Sequence, residues 1–302
     1  MASFPTGTET LASLDVYIPE IWGEKVNEFY RAKLVAAPFF TDRSGELSGG
    51  GDVLYTPNVT EFTGSAKVNA TAVTLNSPSD TRQTLTVNNW FESSFAIEDR
   101  EAAQVKQSYA VMERYSKNAG FAIAKVLDTA ICALFTAFSN AVGTSANNLA
   151  DSDIRNAIAY LEANNVDSEE SAFFFHPNTF WKQVQGIDKF SLAINSPVND
   201  PSSKQPSGYL YGRKVFVTTQ VPNMTSPSGG RANALAHSDA IHWATSPLGK
   251  GGSKSSSMVG SMGVRVQSNY IPDFLSTVTT ADVLYGVVEN RDNAGVLMRS
   301  PL

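Results

Sequence analysis

At 302 residues the chain is long enough for two domains, or for one body with a large insertion. Only 17% of it is charged against 42% apolar, a balance that suits repeated contact with other protein better than isolation in water. A formal net charge of -6 argues against a basic face that grips nucleic acid, but does not exclude a neutral wall that nucleic acid lies against.

One cysteine, Cys132, excludes an intrachain disulfide and points to folding in the cytosol. The opening "MASFPTGTETLASLDVY" has no basic stretch and no apolar core, so no signal peptide is expected. Without a run of about 18 apolar residues, no membrane span is expected either. Sequons at Asn58, Asn69 and Asn223 read as chance in a Ser/Thr-rich chain.

In chain order, "IPEIWGEKVNEFYRAKLVA" (18 to 36) sets Trp22, Val26, Phe29, Tyr30 and Leu34 at helical spacing, with Pro19 suited to a first turn. "APFFTDRSGELSGGGD" then breaks regular structure. The glycines at 49 to 51 are no phosphate cradle: Gly51 is followed by Asp52, a like charge to phosphate, and by strand-favouring Val53, Leu54 and Tyr55. From Asp52 to Leu75 two strand-like runs flank Phe62-Thr63-Gly64-Ser65, and the second, "AKVNATAVTLN", carries too few large side chains to bury a sheet face. A long two-stranded arm with so little core is marginal alone. The sequence therefore predicts an arm packed on a neighbour, with the glycines and Pro78 marking its departure and return.

"TRQTLTVNNWFESSFAIEDR" (81 to 100) is a strand region ending in a helix start, where Asp99 or a neighbour caps and Glu98 and Glu101 suit the dipole. A helix without proline is predicted from about 98 to 138, with Ala102, Val105, Tyr109, Met112, Ser116, Ala119, Ile123, Val126, Ala130 and Ala133 at spacings of three and four. About 40 residues make a rod of roughly 60 Å. "SNAVGTSANN" is a loop. "LADSDIRNAIAYLEANNV" is an amphipathic helix capped near Asp151 or Ser152, burying Ile154, Ile158 and Leu161. Phe173 to Phe175 form a buried strand turning at Pro177 into a helix, and "YLYGRKVFVTTQ" is a strand pair between Pro/Ser/Asn loops. "NALAHSDAIHWAT" is one further strand, "SPLGKGGSKSSSMVGSMG" a low-complexity loop, and the chain closes with strands in "VRVQSNYI" and "STVTTADVLYGVVENRDNAGVLMRS".

Catalytic chemistry is not encoded in any recognisable pattern. His176, His237 and His242 lack metal-ligand spacing, no G-x-S-x-G elbow exists, and Cys132 inside a helix reads as inert packing. The glycines and lysines of "GKGGSKSSS" (249 to 257) are out of register for a phosphate loop. Asp99-Arg100-Glu101 is explained by a helix N-terminus. The sequence predicts no catalytic residue, no cofactor-binding residue and no metal site: the chain is not an enzyme.

The order of these parts resembles the major capsid protein of tailed double-stranded DNA bacteriophages, the Hong Kong 97 fold. "IPEIWGEKVNEFYRAKLV" is similar to an N-terminal arm helix and "GGGDVLYTPNV…ATAVTLN" to the extended loop. "FAIEDREAAQ…ALFTAF" is similar to the spine helix, and "ADVLYGVVENRDNAGVLM" to the closing strands. The resemblance implies an α+β fold with an N-terminal arm (1–44), an extended β-hairpin loop (45–80) and a peripheral domain carrying the spine helix (81–150). An axial domain (151–269) and closing strands (270–302) follow.

It implies assembly as hexamers and pentamers into an icosahedral shell around double-stranded DNA, in a virion built in the cytoplasm of a bacterial host. No sequence-specific DNA contact and no membrane are expected, but a portal protein is, with a decoration protein as an optional partner. With only a short arm expected before the first helix, a separate scaffolding protein is expected too. An encapsulin-type nanocompartment shell or a phage tail or cement protein is the alternative. Some family members join an arm lysine to an asparagine of a neighbour. Here Lys67 would be the donor and Asn290 or Asn293 the acceptor, but the small, polar surroundings "GSAKVNAT" leave the ammonium in water, so no cross-link is predicted.

Overall fold

A computed structural model describes residues 34–47, 51–100, 111–167, 170–187, 209–224, 229–246, 248, 256–259 and 264–302. The strands, in chain order, begin with β1 (Thr41–Asp42), β2 (Val53–Asn58), β3 (Thr81–Thr86) and β4 (Asn89–Glu98). They continue with β5 (Ala141–Gly143), β6 (Ser171–Phe175), β7 (Tyr209–Leu210), β8 (Arg213–Val217), β9 (Asn223–Met224) and β10 (Gly230–His237). The last are β11 (Ile241–Ser246), β12 (Ser256–Val259), β13 (Val264–Ile271), β14 (Ser276–Glu289) and β15 (Gly295–Ser300). A long helix spans Val111–Ala133 and a shorter one Asp151–Ala163.

The first sheet is organised by β14, whose 14 residues reach about 45 Å at strand rise. Along one edge it pairs with β4, from Ser276↔Glu98 to Tyr285↔Asn89. Its other edge is shared end to end by β13, up to Asp282, and β11, from Leu284 onward. The long helix packs across β4 and β14, burying Ala119, Ile123, Leu127 and Ile131, one per turn and a little more. The predicted stripe is thus rotated: Leu127, Ile131 and Cys132 are buried and Ala133 is exposed. By length and composition the segment Arg114–Thr136 could cross a membrane, yet its apolar side is spent on this sheet.

The second sheet runs β5-β15-β10-β6-β8-β7, with β9 on β10. Its central strand β6 is buried on both faces: Phe174 joins the core under the long helix, while Phe173 and Phe175 join the core under the shorter helix. Phe40 stacks on Phe174 at 5.3 Å, and Phe39 meets Phe174 and Phe216 edge-on. Those two phenylalanines fasten the N-terminal segment to the second sheet.

Several elements differ from the sequence reading. The helix expected to 138 ends at Ala133 and tightens into a 3-10 turn, Leu134–Thr136; its residues 101–110 and the helix expected at 18–36, up to 33, lie outside the described residues. "NALAHSDAIHWAT" is two strands in different sheets, because the 3-10 turn Ser238–Ala240 carries the chain across. β14 and β15 likewise belong to different sheets. Within the expected low-complexity loop, Ser256–Val259 pairs with β13 as β12; residues 249–255 lie outside the described residues. The shorter helix is capped from inside: Asp153 Oδ2 accepts the Ala150 N–H at 3.0 Å, so neither Asp151 nor Ser152 is the cap.

Candidate assembly surface

β2 and β3 form a separate two-stranded ribbon, registered Val53↔Thr86 through Asn58↔Thr81. The chain between them, 59–80, makes no backbone ladder, but its two limbs stay opposed. Ser79 N–H donates to Thr60 Oγ1, Thr60 N–H to Asp80 Oδ1, and Asn76 Nδ2 to Thr63 O. At the end Thr71 N–H reaches Val68 O. All but one of these side-chain and backbone pairs are symmetric about the Asn69–Ala70 bond, Thr60–Asp80 being one residue off. The segment is therefore one hairpin whose ladder lapses beyond Asn58 while its register persists. Ala70 takes φ 61 at the tip, the left-handed region that a turn can require and that residues other than glycine seldom enter. The turn is not at Phe62–Ser65, and the return strand is Thr81–Thr86, six residues the sequence reading assigned to the body.

Eleven residues from Val59 to Asn69 can carry the tip at most about 35–40 Å beyond the ribbon. Every residue from 61 to 80 is exposed. Val59, Phe62, Val68, Val73 and Leu75 are 59–84% exposed, so their own chain leaves most of the arm's large apolar surface uncovered. The ribbon's root, by contrast, is fixed. Leu85 and Val87 are buried against Ala244, and Gly286 of β14 lies so close that an added Cβ would meet the Thr86 carbonyl. Lys67, at the tip, curls its ammonium onto Val68 O at 2.9 Å and onto the Thr71 carbonyl and hydroxyl. It caps its own turn.

A second uncovered surface lies on β4, whose far edge pairs with no strand among the described residues. Trp90 and Phe91 are exposed there and, with Glu92, line an open cavity of about 360 Å³. Trp90 is held in place: its indole N–H donates to Asp282 Oδ2 at 3.1 Å, and Asp282 is itself bridged by Arg265 at 2.5 Å from the next strand. The chain Trp90–Asp282–Arg265 crosses three strands of one face.

Asp128 holds the N-terminal segment where it enters the body. Fully buried in the long helix, its Oδ1 accepts the N–H groups of Ala36 at 2.7 Å and Ala37 at 3.0 Å. Burial pushes its carboxyl above the usual aspartate value, and these backbone bonds pull the other way. No sequence signal marked this residue, because one aspartate on a helix reads as a solvated charge.

The histidines, the cysteine and the charged cluster at the helix start are scattered. His176 caps the turn after β6 by accepting the Asn178 N–H, and His237 accepts that of Asp239. His242 sits 3.6 Å from Asp239 and is pushed below the ordinary histidine range by burial and Arg43. Cys132 is buried and its thiol is pushed well up by burial. Asp99 accepts the Tyr270 hydroxyl at 2.8 Å, tying the helix start to the end of β13. Among the described residues no group of His, Cys, Asp and Glu is arranged to hold a metal ion. Asn290 is half-buried with its amide N–H on Asp239 O, and Asn293 is exposed.

No protein-family model matches the chain, and no curated protein does. Solved structures do, over nearly its whole length. A structure from Mycobacterium phage Che8 matches with TM-score 0.73 at 20% identity, covering 93% of this chain and 97% of the other. The capsid structure of cyanophage P-SCSP1u gives 0.74 at 14%, covering 98% and 96%. The asymmetric unit of the bacteriophage PhiM1 mature capsid gives 0.70 at 13%, covering 97% and 99%. The chain has the mixed helix-and-sheet fold of these phage capsid structures.

Proposed function

We propose that this chain is the major capsid protein of a tailed double-stranded DNA bacteriophage, self-assembling as hexamers and pentamers into an icosahedral shell around the genome. The observation that carries the reading is the hairpin arm with five uncovered apolar side chains, in a chain whose fold matches phage capsid structures end to end. A side chain of this kind contributes about 1.5–3 kcal/mol when covered. An arm that leaves five of them bare is organised for a neighbour.

The Hong Kong 97 subdivision follows as part of the same reading. Residues 1–44 are the N-terminal arm, and the extended loop starts at 45, its return strand running through Thr86. The sheet of β4, β14 and β13 beneath the long helix supports a peripheral domain, and the β6–β10–β15 sheet with the shorter helix supports an axial domain. The role is structural, with no catalytic, cofactor or metal residue. The acidic balance suits a wall that does not hold its DNA tightly. A separate scaffolding protein and a portal complete the assembly, with a decoration protein as an optional further partner, in the host cytoplasm and then the virion.

Cryo-electron microscopy of the expressed chain, alone and with a co-expressed scaffolding candidate, tests this. Closed shells with five- and six-fold capsomers are expected. Tubes, shells filled with a protein cargo, or a permanent monomer would each overturn the reading.

A further inference from the structure

The two strands of the ribbon are seated on different supports. The return strand β3 rests on the first sheet: Leu85 and Val87 bury against Ala244, and Gly286 leaves no room for a Cβ beside the Thr86 carbonyl. Gln83 Nε2 adds a bond to Glu289 O at 2.6 Å. The outgoing strand β2 is held by the N-terminal segment instead. Arg43 Nη2 donates to Thr56 Oγ1 at 3.3 Å, a contact between side chains 13 residues apart.

Arg43 belongs to the stretch 34–47, which is fastened along its whole length. Near its start Asp128 Oδ1, in the long helix, accepts the Ala36 and Ala37 N–H groups. Phe39 and Phe40 pack on Phe174 of the second sheet. Thr41 and Asp42 pair in parallel with His242 and Trp243 of β11, and the Arg43 N–H continues that ladder to Trp243 O at 2.8 Å. Leu47 then buries in the same cluster as Leu85 and Val87 of the arm's root.

This register fixes where Arg43 points. Alternation from Thr41 places it on the face of β11 that carries His242 and Ala244, which is the face the ribbon covers. The Glu46 carboxylate lies 3.0 Å from Arg43 Nε but out of line with its N–H, so it holds the guanidinium there by charge. The Arg43 side chain thus bridges a segment clamped at Asp128 to the strand on which the arm leaves the body.

We propose that the stretch 34–47 is a lever on the arm: Arg43 carries its position to β2, and the ribbon tilts about the seat of β3. A ribbon fixed along one strand can still roll about that strand, and Arg43 sets the roll. With the tip at most about 35–40 Å beyond the ribbon, a small roll at the root becomes a large displacement at the tip. Such coupling runs both ways, so whatever fixes the arm also tightens the stretch by the same factor. The lever is a property of the single subunit and does not depend on the shell.

Double electron–electron resonance on free subunits of the full chain tests this, with spin labels at Ser65→Cys on the arm and Asn293→Cys on the body. Both positions are exposed, and the native Cys132 is buried, out of reach of the label. Releasing the far end of the stretch with Asp128→Leu should broaden the distance distribution. Thr56→Val, which removes only the hydroxyl that Arg43 reaches, should broaden it as much, and the two changes together should add nothing. In the other direction, Thr56→Val should quicken amide exchange at Ala36 and Ala37 about 2- to 10-fold, the effect of one lost hydrogen bond. The Thr56→Val readouts stand if Asp128→Leu fails to fold. A wild-type distribution in Thr56→Val, broadening that adds in the double variant, or exchange at Ala36 and Ala37 unmoved by Thr56→Val would overturn the proposal.

Discussion

Replacing Asp128 by leucine is expected to release the Val35–Ala37 turn, while replacing it by asparagine should leave that turn nearly in place. Both short bonds, from Ala36 and Ala37, end on the single oxygen Oδ1; Oδ2 meets only the Val35 N–H, at 3.4 Å. Asparagine retains one such oxygen and removes a charge that burial disfavours. Leucine fills the same space and leaves two buried N–H groups without acceptors, at about 1–3 kcal/mol each or roughly 2–6 kcal/mol together. Arg43, paired with Glu46 at 3.0 Å, follows this turn and supplies the assay. When reclosing outpaces cleavage, trypsin cuts in proportion to the open population. At about 1.4 kcal/mol per decade, cleavage after Arg43 should rise roughly 30-fold or more in Asp128→Leu and less than about tenfold in Asp128→Asn. Because the folded carboxyl sits above its ordinary value, its effect on stability is best below 3.8 and declines as pH rises through the folded value, a dependence the asparagine variant should lose. Equal cleavage of both variants, or wild-type cleavage of the leucine variant, would refute the clamp.

Three further outcomes are expected. Gly286→Ala should lower stability by about 1–3 kcal/mol, since its methyl meets the Thr86 carbonyl at the arm's root; an unchanged melting temperature would show that the ribbon shifts freely. Replacing 59–80 by a two-residue turn should leave the β2–β3 ribbon and a folded subunit but abolish shells, and normal particles from that deletion would count against the arm as the joining element. Shells boiled in detergent should run as one band near 32.5 kDa, because Lys67 is spent on its own turn; a reductant-resistant ladder lost in Lys67→Ala would show a cross-link.

Much of the fold was legible because it rests on local pattern. Phe173 to Phe175, bounded by His176-Pro177, is a run of buried aromatics with a stop signal, and it folds as the central strand. The arm was legible from what it lacks, the large side chains a self-sufficient hairpin needs. Its turn was not, since Phe62-Thr63-Gly64-Ser65 has better turn chemistry than Val68-Asn69-Ala70-Thr71. The pairing of β2 with β3 sets the register from the root, and the tip follows. The crossings at Ser238–Ala240 and Asp292–Ala294 were hidden for a related reason: a 3-10 turn of three residues leaves alternation intact on either side, so two strands in two sheets read as one. Asp128 was invisible because its partners are the backbone N–H groups of Ala36 and Ala37, far away in sequence.

The arm and the clamp bear on one physical problem, how a subunit stays weakly committed until it meets its neighbours. Five largely uncovered apolar side chains, at about 1.5–3 kcal/mol for each full burial, represent at most roughly 7–15 kcal/mol, comparable with the whole stability of an ordinary domain. Ordering and desolvation consume part of that on association. A hairpin tip free to move would forfeit more, through the entropy of fixing two limbs of eleven residues. The bonds from Thr60 to Ser79 and Asp80, from Asn76 to Thr63 and from Lys67 to the tip turn keep the limbs in register before any partner arrives. The polar residues in this low-charge arm thus hold the shape, and the apolar ones wait for the neighbour. If that division holds, Asn76→Ala should slow shell formation without changing the final shells, whereas Phe62→Ala should weaken the shells themselves. Time-resolved light scattering for the first and denaturant-driven disassembly for the second separate the two. Identical effects in both assays would mean that arm shape and arm burial are not separable.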